Sequence, residues 1–307
     1  MHVAQLALIC ALFAGPASAQ PEANYPDPVI QAARDQFIAG DPVPALAVLR
    51  PLAEGGAVRA QNILGAAYQY GEGVAADPAQ ALDWYGRAAA QGYPTALHNL
   101  GYLYEVGMPG LPPDLTLARS YYQQAGALDY GPSLGNLGGM MLIGQGDPVD
   151  TVGALAVLRR GVQMGDPHAV EWLAWAHLTA TGLPEDLAEA RRLYEIAALQ
   201  NRPNAANELG MMLESGQGGP ADLPRAMLFY EQAVAGDITY AGINAAWMIF
   251  DQPELFPDRV LGLAYCYWAV ANAVAPERTE YQTACDEVAA DYSQGEIQQA
   301  RKRAGNL

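Results

Sequence analysis

An aspartate returns along this chain at Asp41, Asp77, Asp114, Asp150, Asp186, Asp222 and Asp258, at intervals of 36, 37, 36, 36, 36 and 36 residues. A small residue keeps the same step, as Ala60, Ala96, Ser133, Ala169, Ala205 and Ala241. A fixed period of this length marks an array of supersecondary units, each of which buries its apolar face only by stacking on the next copy. It replaces the division into about two globular domains that 307 residues alone would suggest.

Each period reads as two helices. In its first half apolar or small residues fall four apart, at Ala60, Leu64 and Tyr68. In its second they fall at Ala81, Trp84, Tyr85, Ala88 and Ala89, the stripe of a helix with one buried face. Between the two lie glycines, such as Gly71 and Gly73, Gly144 and Gly146, or Gly216 and Gly218, which stop the first helix by supplying left-handed backbone. The recurrent aspartate then opens the second. Its carboxylate is placed to accept N–H bonds from the first turn, and in Asp77-Pro78 the proline takes the position where no donor is missed. The seven aspartates are therefore read as helix caps and not as a ladder of cation ligands. The small residues Gly65, Gly101, Gly138, Ala174 and Gly210 let the paired helices approach, with second-helix aromatics filling the space between layers.

The stretch Ala60 to Gly92 carries L-G-x-x-Y, G-x-G-V, D-x-x-x-A and W-Y-x-x-A-A, and in these elements it resembles the Sel1-like repeats, relatives of the tetratricopeptide repeats. The next copy keeps Asn99, Leu100, Gly101, Tyr104, Gly107, Ala118, Tyr121, Tyr122 and Ala125, and a later one keeps Leu209, Gly210, Gly216, Gly218, Ala226, Tyr230 and Ala233. Others are looser, with Val157 and Leu158 in place of the aromatic pair and Ala174 and Ala180 in place of glycines. The resemblance implies an all-α fold, a right-handed α-solenoid of antiparallel helix pairs closed by a C-terminal helical cap. The expected organisation is a signal peptide over residues 1–19, an N-terminal extension with a short tetratricopeptide-like pair over 20–59, the repeats over 60–274, and capping helices over 275–307.

The amino terminus supplies the signal. Ala4 to Ala14 are almost wholly apolar, Gly15 and Pro16 break the run, and Ala17-Ser18-Ala19 offers a small-x-small cleavage site before Gln20. The run is shorter than the ~20 apolar residues needed to span a bilayer, and Cys10 follows Ile9 where a lipid-anchor signal wants a small residue. We expect a protein cleaved after Ala19, periplasmic or secreted, monomeric, with no membrane span once mature. Its 33 acidic residues against 16 Lys and Arg, a net charge of −17, exclude a nucleic-acid partner, which requires a basic stripe.

Cleavage would leave two cysteines, Cys266 and Cys285, which stand equally far from the bend at Ala275-Pro276 and hence at one height of a helical hairpin. A disulfide between them and a pair of free thiols are the two readings. No metal ligand set, phosphate loop or nucleophile-base motif is recognisable, so the sequence indicates no cofactor, no metal and no enzyme. Function then falls to the face of the first helices. The tetratricopeptide register implied by the resemblance places two rows there: Asn62, His98, Gly135, Glu171, Asn207 and Ile243, and, one turn along, Ala66, Tyr102, Gly139, Trp175, Met211 and Trp247. Aromatics and Met presented on a rigid face make good anchors for a peptide, although Trp175 and Trp247 would also serve as packing between neighbouring helices. The favoured expectation is a non-enzymatic module that binds a protein or peptide partner of the cell envelope, restraining a sensor or organising a complex. The alternatives are a structural part of polysaccharide or peptidoglycan machinery and a hydrolase acting on peptidoglycan or β-lactams.

Overall fold

At five of its seven places the recurrent aspartate works from both its ends, and this sets the shape of those repeats. In the computed structural model, which describes residues 27–307, the backbone N–H groups of Asp77, Asp114, Asp150, Asp186 and Asp222 bond carbonyls in the last turn of the helix before, at 2.7–3.2 Å. The same residues cap the helix that follows: Asp77 accepts from the N–H groups of Ala79 and Gln80, and Asp114, Asp150, Asp186, Asp222 and Asp258 each accept from the residue three further on. Asp41 departs from the expectation. It precedes a helix, but its carboxylate makes no bond to the first turn and instead accepts from Gln36 at 2.9 Å. The reason lies in Pro42 and Pro44, which remove the donors at the first and third helical positions.

Sixteen helices make up the regular structure of the described residues: α1 (Asp27–Ile38), α2 (Pro42–Glu54), α3 (Val58–Tyr70), α4 (Pro78–Ala90), α5 (Pro94–Val106), α6 (Leu115–Ala127), α7 (Gly131–Ile143), α8 (Thr151–Gln163), α9 (Pro167–Leu178), α10 (Leu187–Leu199), α11 (Pro203–Ser215), α12 (Leu223–Ala235), α13 (Thr239–Asp251), α14 (Arg259–Asn272), α15 (Glu277–Ala289) and α16 (Gln294–Ala304). The fold is the all-α array of helix pairs that the period demanded. The signal expected over residues 1–19 lies outside the described residues. The single extra residue of the 37-residue interval is absorbed in the turn between α5 and α6, where Met108 and Leu111 exchange backbone hydrogen bonds of 2.9 and 2.8 Å.

The helices form two compact units, one ending at Ala169 and the other spanning Val170–Leu307, so the division falls inside α9. In the first unit the core is a stack of α3 on α4, α5 on α6 and α7 on α8. A Cβ at Gly65 or Gly101 would stand 2.5 or 2.7 Å from the ring of Tyr85 or Tyr122, both fully buried. In the second unit Gly210 stands in the same way against Tyr230. Each of these tyrosines ends on a partner sixteen or seventeen residues earlier, on the paired first helix: Tyr85 on Gln69 at 2.8 Å, Tyr122 on Glu105 and Tyr230 on Glu214, both at 2.6 Å. Such an acceptor offsets the cost of burying a phenol. Burial is also the main cause that holds all three hydroxyls above their ordinary pKa.

The turn from one repeat to the next has its own register. Left-handed backbone occurs at Gly56, Gly92, Asp129, Gly165, Asn201 and Asp237, where Asp and Asn replace glycine because their short polar side chains tolerate that region. The last two helices of the second unit both pack on α14. Helix α15 runs from Glu277 to Ala289, and Ser293 opens α16 with a capping box completed by Glu296. Arg303 of α16 reaches back to the carboxylate of Asp258 with two bonds, at 2.9 and 2.8 Å.

Candidate partner-binding face

Helices α3, α5 and α7 carry the first-helix positions of the first unit, and two side-chain pairs tie them to one another. Asn99 Nδ2 donates to Asn62 Oδ1 at 2.9 Å, and both residues are buried, at 0 % and 1 % exposure. Asn62 is thus a tie between repeats and presents nothing to a partner, a correction to the place the register gave it. The cause is position: the amide sits at the contact of adjacent first helices, where only another amide matches it. His98, partly buried, lies between the rings of Tyr122 and Tyr130, at centroid distances of 5.3 and 5.5 Å, with Nδ1 3.0 Å from Ser133 Oγ. Burial lowers its pKa from 6.5 to about 4. Tyr102 is half-buried, and burial together with the nearby Glu105 carboxylate raises its pKa.

The second unit presents a more open face. Arg202, the residue just before α11, holds Glu171 of α9 at 2.6 Å. Asn244 Nδ2 of α13 donates to Asn207 Oδ1 of α11 at 2.9 Å, and Tyr240 donates to Asn204 at 3.0 Å. Asn207 is fully buried by this tie, so it too is removed from the accessible row. These bonds place α9, α11 and α13 side by side from residue 170 onward. Trp175, Met211 and Trp247 occupy one register position on the three helices. Met211 is 45 % exposed, and the two indoles are half-buried, each against a neighbour on its own helix: Trp175 edge-on to Trp172 at 5.7 Å, Trp247 tilted against Phe250 at 5.4 Å. Ile243 is half-buried.

Sequence reasoning missed Glu208. It lies on α11 beside Asn207, half-buried, with its pKa raised by burial and by the like charge of Glu171, against a hydrogen bond from Asn207 that lowers it. The same register position carries Asn99, Asn136 and Asn244 in other repeats. That recurrence of polar residues next to the core stripe was the available signal.

Cys266 of α14 and Cys285 of α15 are both fully buried, with their sulfurs in bonding contact and Cα atoms 5.8 Å apart. Among the described residues no cluster of His, Cys, Asp and Glu could hold a metal ion, and no helix is long and apolar enough to cross a membrane.

Comparison with known proteins agrees with this architecture. The family model for the Sel1 repeat matches residues 58–93, 94–130, 167–201 and 203–237. A Sel1 repeat protein of Oxalobacter formigenes superposes with a TM-score of 0.62 at 24 % identity, over 71 % of this chain and 86 % of that one. A protective antigen of uropathogenic Escherichia coli displaying an SLR fold gives 0.64 at 18 % identity, over 98 % of this chain and 64 % of the other. At these identities the likeness is one of fold. Among curated proteins, the ERAD-associated E3 ubiquitin-protein ligase component HRD3B of Arabidopsis thaliana is 44 % identical over 72 residues, which is 24 % of this chain and 12 % of the relative. HRD3A of the same plant is 42 % identical over the same length, 10 % of that protein. The chain thus spans only a small part of these curated relatives. Sel1 repeats generally serve as protein–protein interaction modules.

Proposed function

Starting from a chain that carries Sel1 repeats, we propose that this protein is a non-enzymatic, exported interaction module that holds a segment of a protein partner of the cell envelope along the first helices of its second unit. One observation carries the reading: Trp175, Met211 and Trp247 stand in register on three adjacent helices, partly open to solvent, while hydrogen bonds between those helices fix their spacing. Aromatic and Met side chains presented by a rigid scaffold bind a peptide at low entropic cost. The curated relatives are named as components of a larger assembly.

Export rests on the apolar run Ala4 to Ala14 and the small residues before Gln20. The buried Cys266 and Cys285, with Cα atoms 5.8 Å apart, form a disulfide in an oxidising compartment on this reading. Amino-terminal sequencing of protein from the periplasmic fraction is expected to begin at Gln20. Denatured, unreduced protein is expected to show no reactive thiol; two would refute the bridge.

The binding reading is tested by affinity capture from crosslinked envelope extract with residues 20–307, beside a Trp175→Ala, Trp247→Ala variant whose helical signal is intact. A protein captured by the first and lost by the second supports it. Capture of the same set by both, or of nothing, overturns it.

A further inference from the structure

Of the face that carries Trp175, Met211 and Trp247, one group is left electrically uncompensated. Glu171 has Arg202 at 2.6 Å, with the two side chains 15 % and 28 % exposed. Glu208, on the next first helix, has no ion pair among the described residues, and the amide of Asn207 is the one neighbour that favours its charged form. The neighbouring phenol of Tyr240 does not serve it, being committed to Asn204 at 3.0 Å. A half-buried carboxylate in such surroundings is short of solvation and of charge. The repulsion from Glu171 and the burial of Glu208 both raise its pKa, which is the expected response of an acid whose counter-charge is missing.

The occupant is constrained from two sides. Met211 lies three residues beyond Glu208 on the same helix, with Trp175 and Trp247 in register on either side, so a bound segment meets apolar surface next to the carboxylate. The chain as a whole carries −17, which attracts positive and repels negative segments. Resting on the reading of this face as a peptide site, we infer that Glu208 is a specificity-determining anchor for a cationic side chain, guanidinium or ammonium, carried by an extended partner segment with apolar neighbours. The apolar row supplies adhesion and Glu208 selects the sign of charge. An anionic or neutral residue at that place in the partner would leave the carboxylate desolvated and unpaired, which is how an interface discriminates.

The test uses the full mature chain and a panel of fluorescein-labelled peptides of one frame, Ser-Leu-Xaa-Leu-Ser, in which Xaa is arginine, lysine, citrulline, norleucine or glutamate, read by fluorescence anisotropy. Citrulline keeps the shape of arginine without the charge. The arginine peptide is expected to bind about tenfold or more tighter than the citrulline peptide. This preference is expected to vanish in the isosteric Glu208→Gln variant, which binds the norleucine peptide at least as tightly as the wild type because no carboxylate is left unpaired. Equal binding of arginine and citrulline by the wild type, or a preference that survives in Glu208→Gln, overturns the assignment while leaving the peptide site standing. Failure of every peptide to bind, or binding that persists in the Trp175→Ala, Trp247→Ala variant, removes the site itself and the assignment with it.

Discussion

At Ala180 a non-glycine residue closes a first helix with φ at +55°, where Gly71, Gly107, Gly144 and Gly216 stand in the other repeats. A Cβ in left-handed backbone costs about 1 kcal/mol, and the side chain is exposed, so nothing offsets the cost. Ala180→Gly is therefore expected to stabilise the protein by roughly 0.5–1 kcal/mol in urea denaturation, against the usual direction for an added glycine. His98 gives a second residue-scale prediction, with a definite sign. Its pKa is 6.5 in the unfolded chain and about 4 when folded. Between those values the unfolded chain takes up a proton that the folded chain refuses. Stability from this residue is thus complete above 6.5 and is lost as the pH falls to about 4, by up to ~3 kcal/mol. A His98→Gln variant is expected to lack that part of the acid slope, and the difference between the two denaturation profiles measures it. The glycine substitution at 180 was legible in the sequence. The fate of His98 was not, because the rings of Tyr122 and Tyr130 that exclude water from it come from the neighbouring α6 and from the turn before α7.

At the scale of the element, the aspartates separate into those that cap and one that does not. Asp222 accepts from Arg225 N at 3.1 Å and donates its own N–H to Leu213 O at 2.8 Å. Asp222→Ala is expected to cost about 1 kcal/mol. Asp41→Ala, at the same place in its period, is expected to change stability by less than about 0.5 kcal/mol, because Pro42 and Pro44 leave its carboxylate no donor at the first or third helical position. Equal effects of the two substitutions, measured by thermal or urea denaturation, would show that the caps are not what keeps the period. Helix existence and turn chemistry were readable here since both follow from local donors and acceptors. The partner of each second-helix tyrosine was not, because Glu105 and Glu214 have the look of solvated charges until the paired helix folds back over them.

At the scale of the molecule, an array whose copies touch only their neighbours must cover its last face. Helices α15 and α16 pack on α14, whose Leu263, Ala264, Cys266 and Ala269 are fully buried, and they are expected to serve as such a cover. A chain ended at residue 274 is expected to self-associate with rising concentration in size-exclusion chromatography and to melt with less cooperativity, while the full chain stays at one elution volume.

What the sequence determined by itself was everything that repeats: the 36-residue step, two helices per step, the glycine stop and the aspartate start, since each depends on residues close together in the chain. What only the tertiary structure decided was which polar side chains remain available. Asn62, Asn207, Glu171 and Glu208 are alike as letters on a first helix. Asn99 and Asn244 bury the two amides, and Arg202 neutralises the first glutamate. Glu208 alone is left without its counter-charge, because desolvation and pairing are set by groups about one repeat away, and no local pattern records which of them arrive.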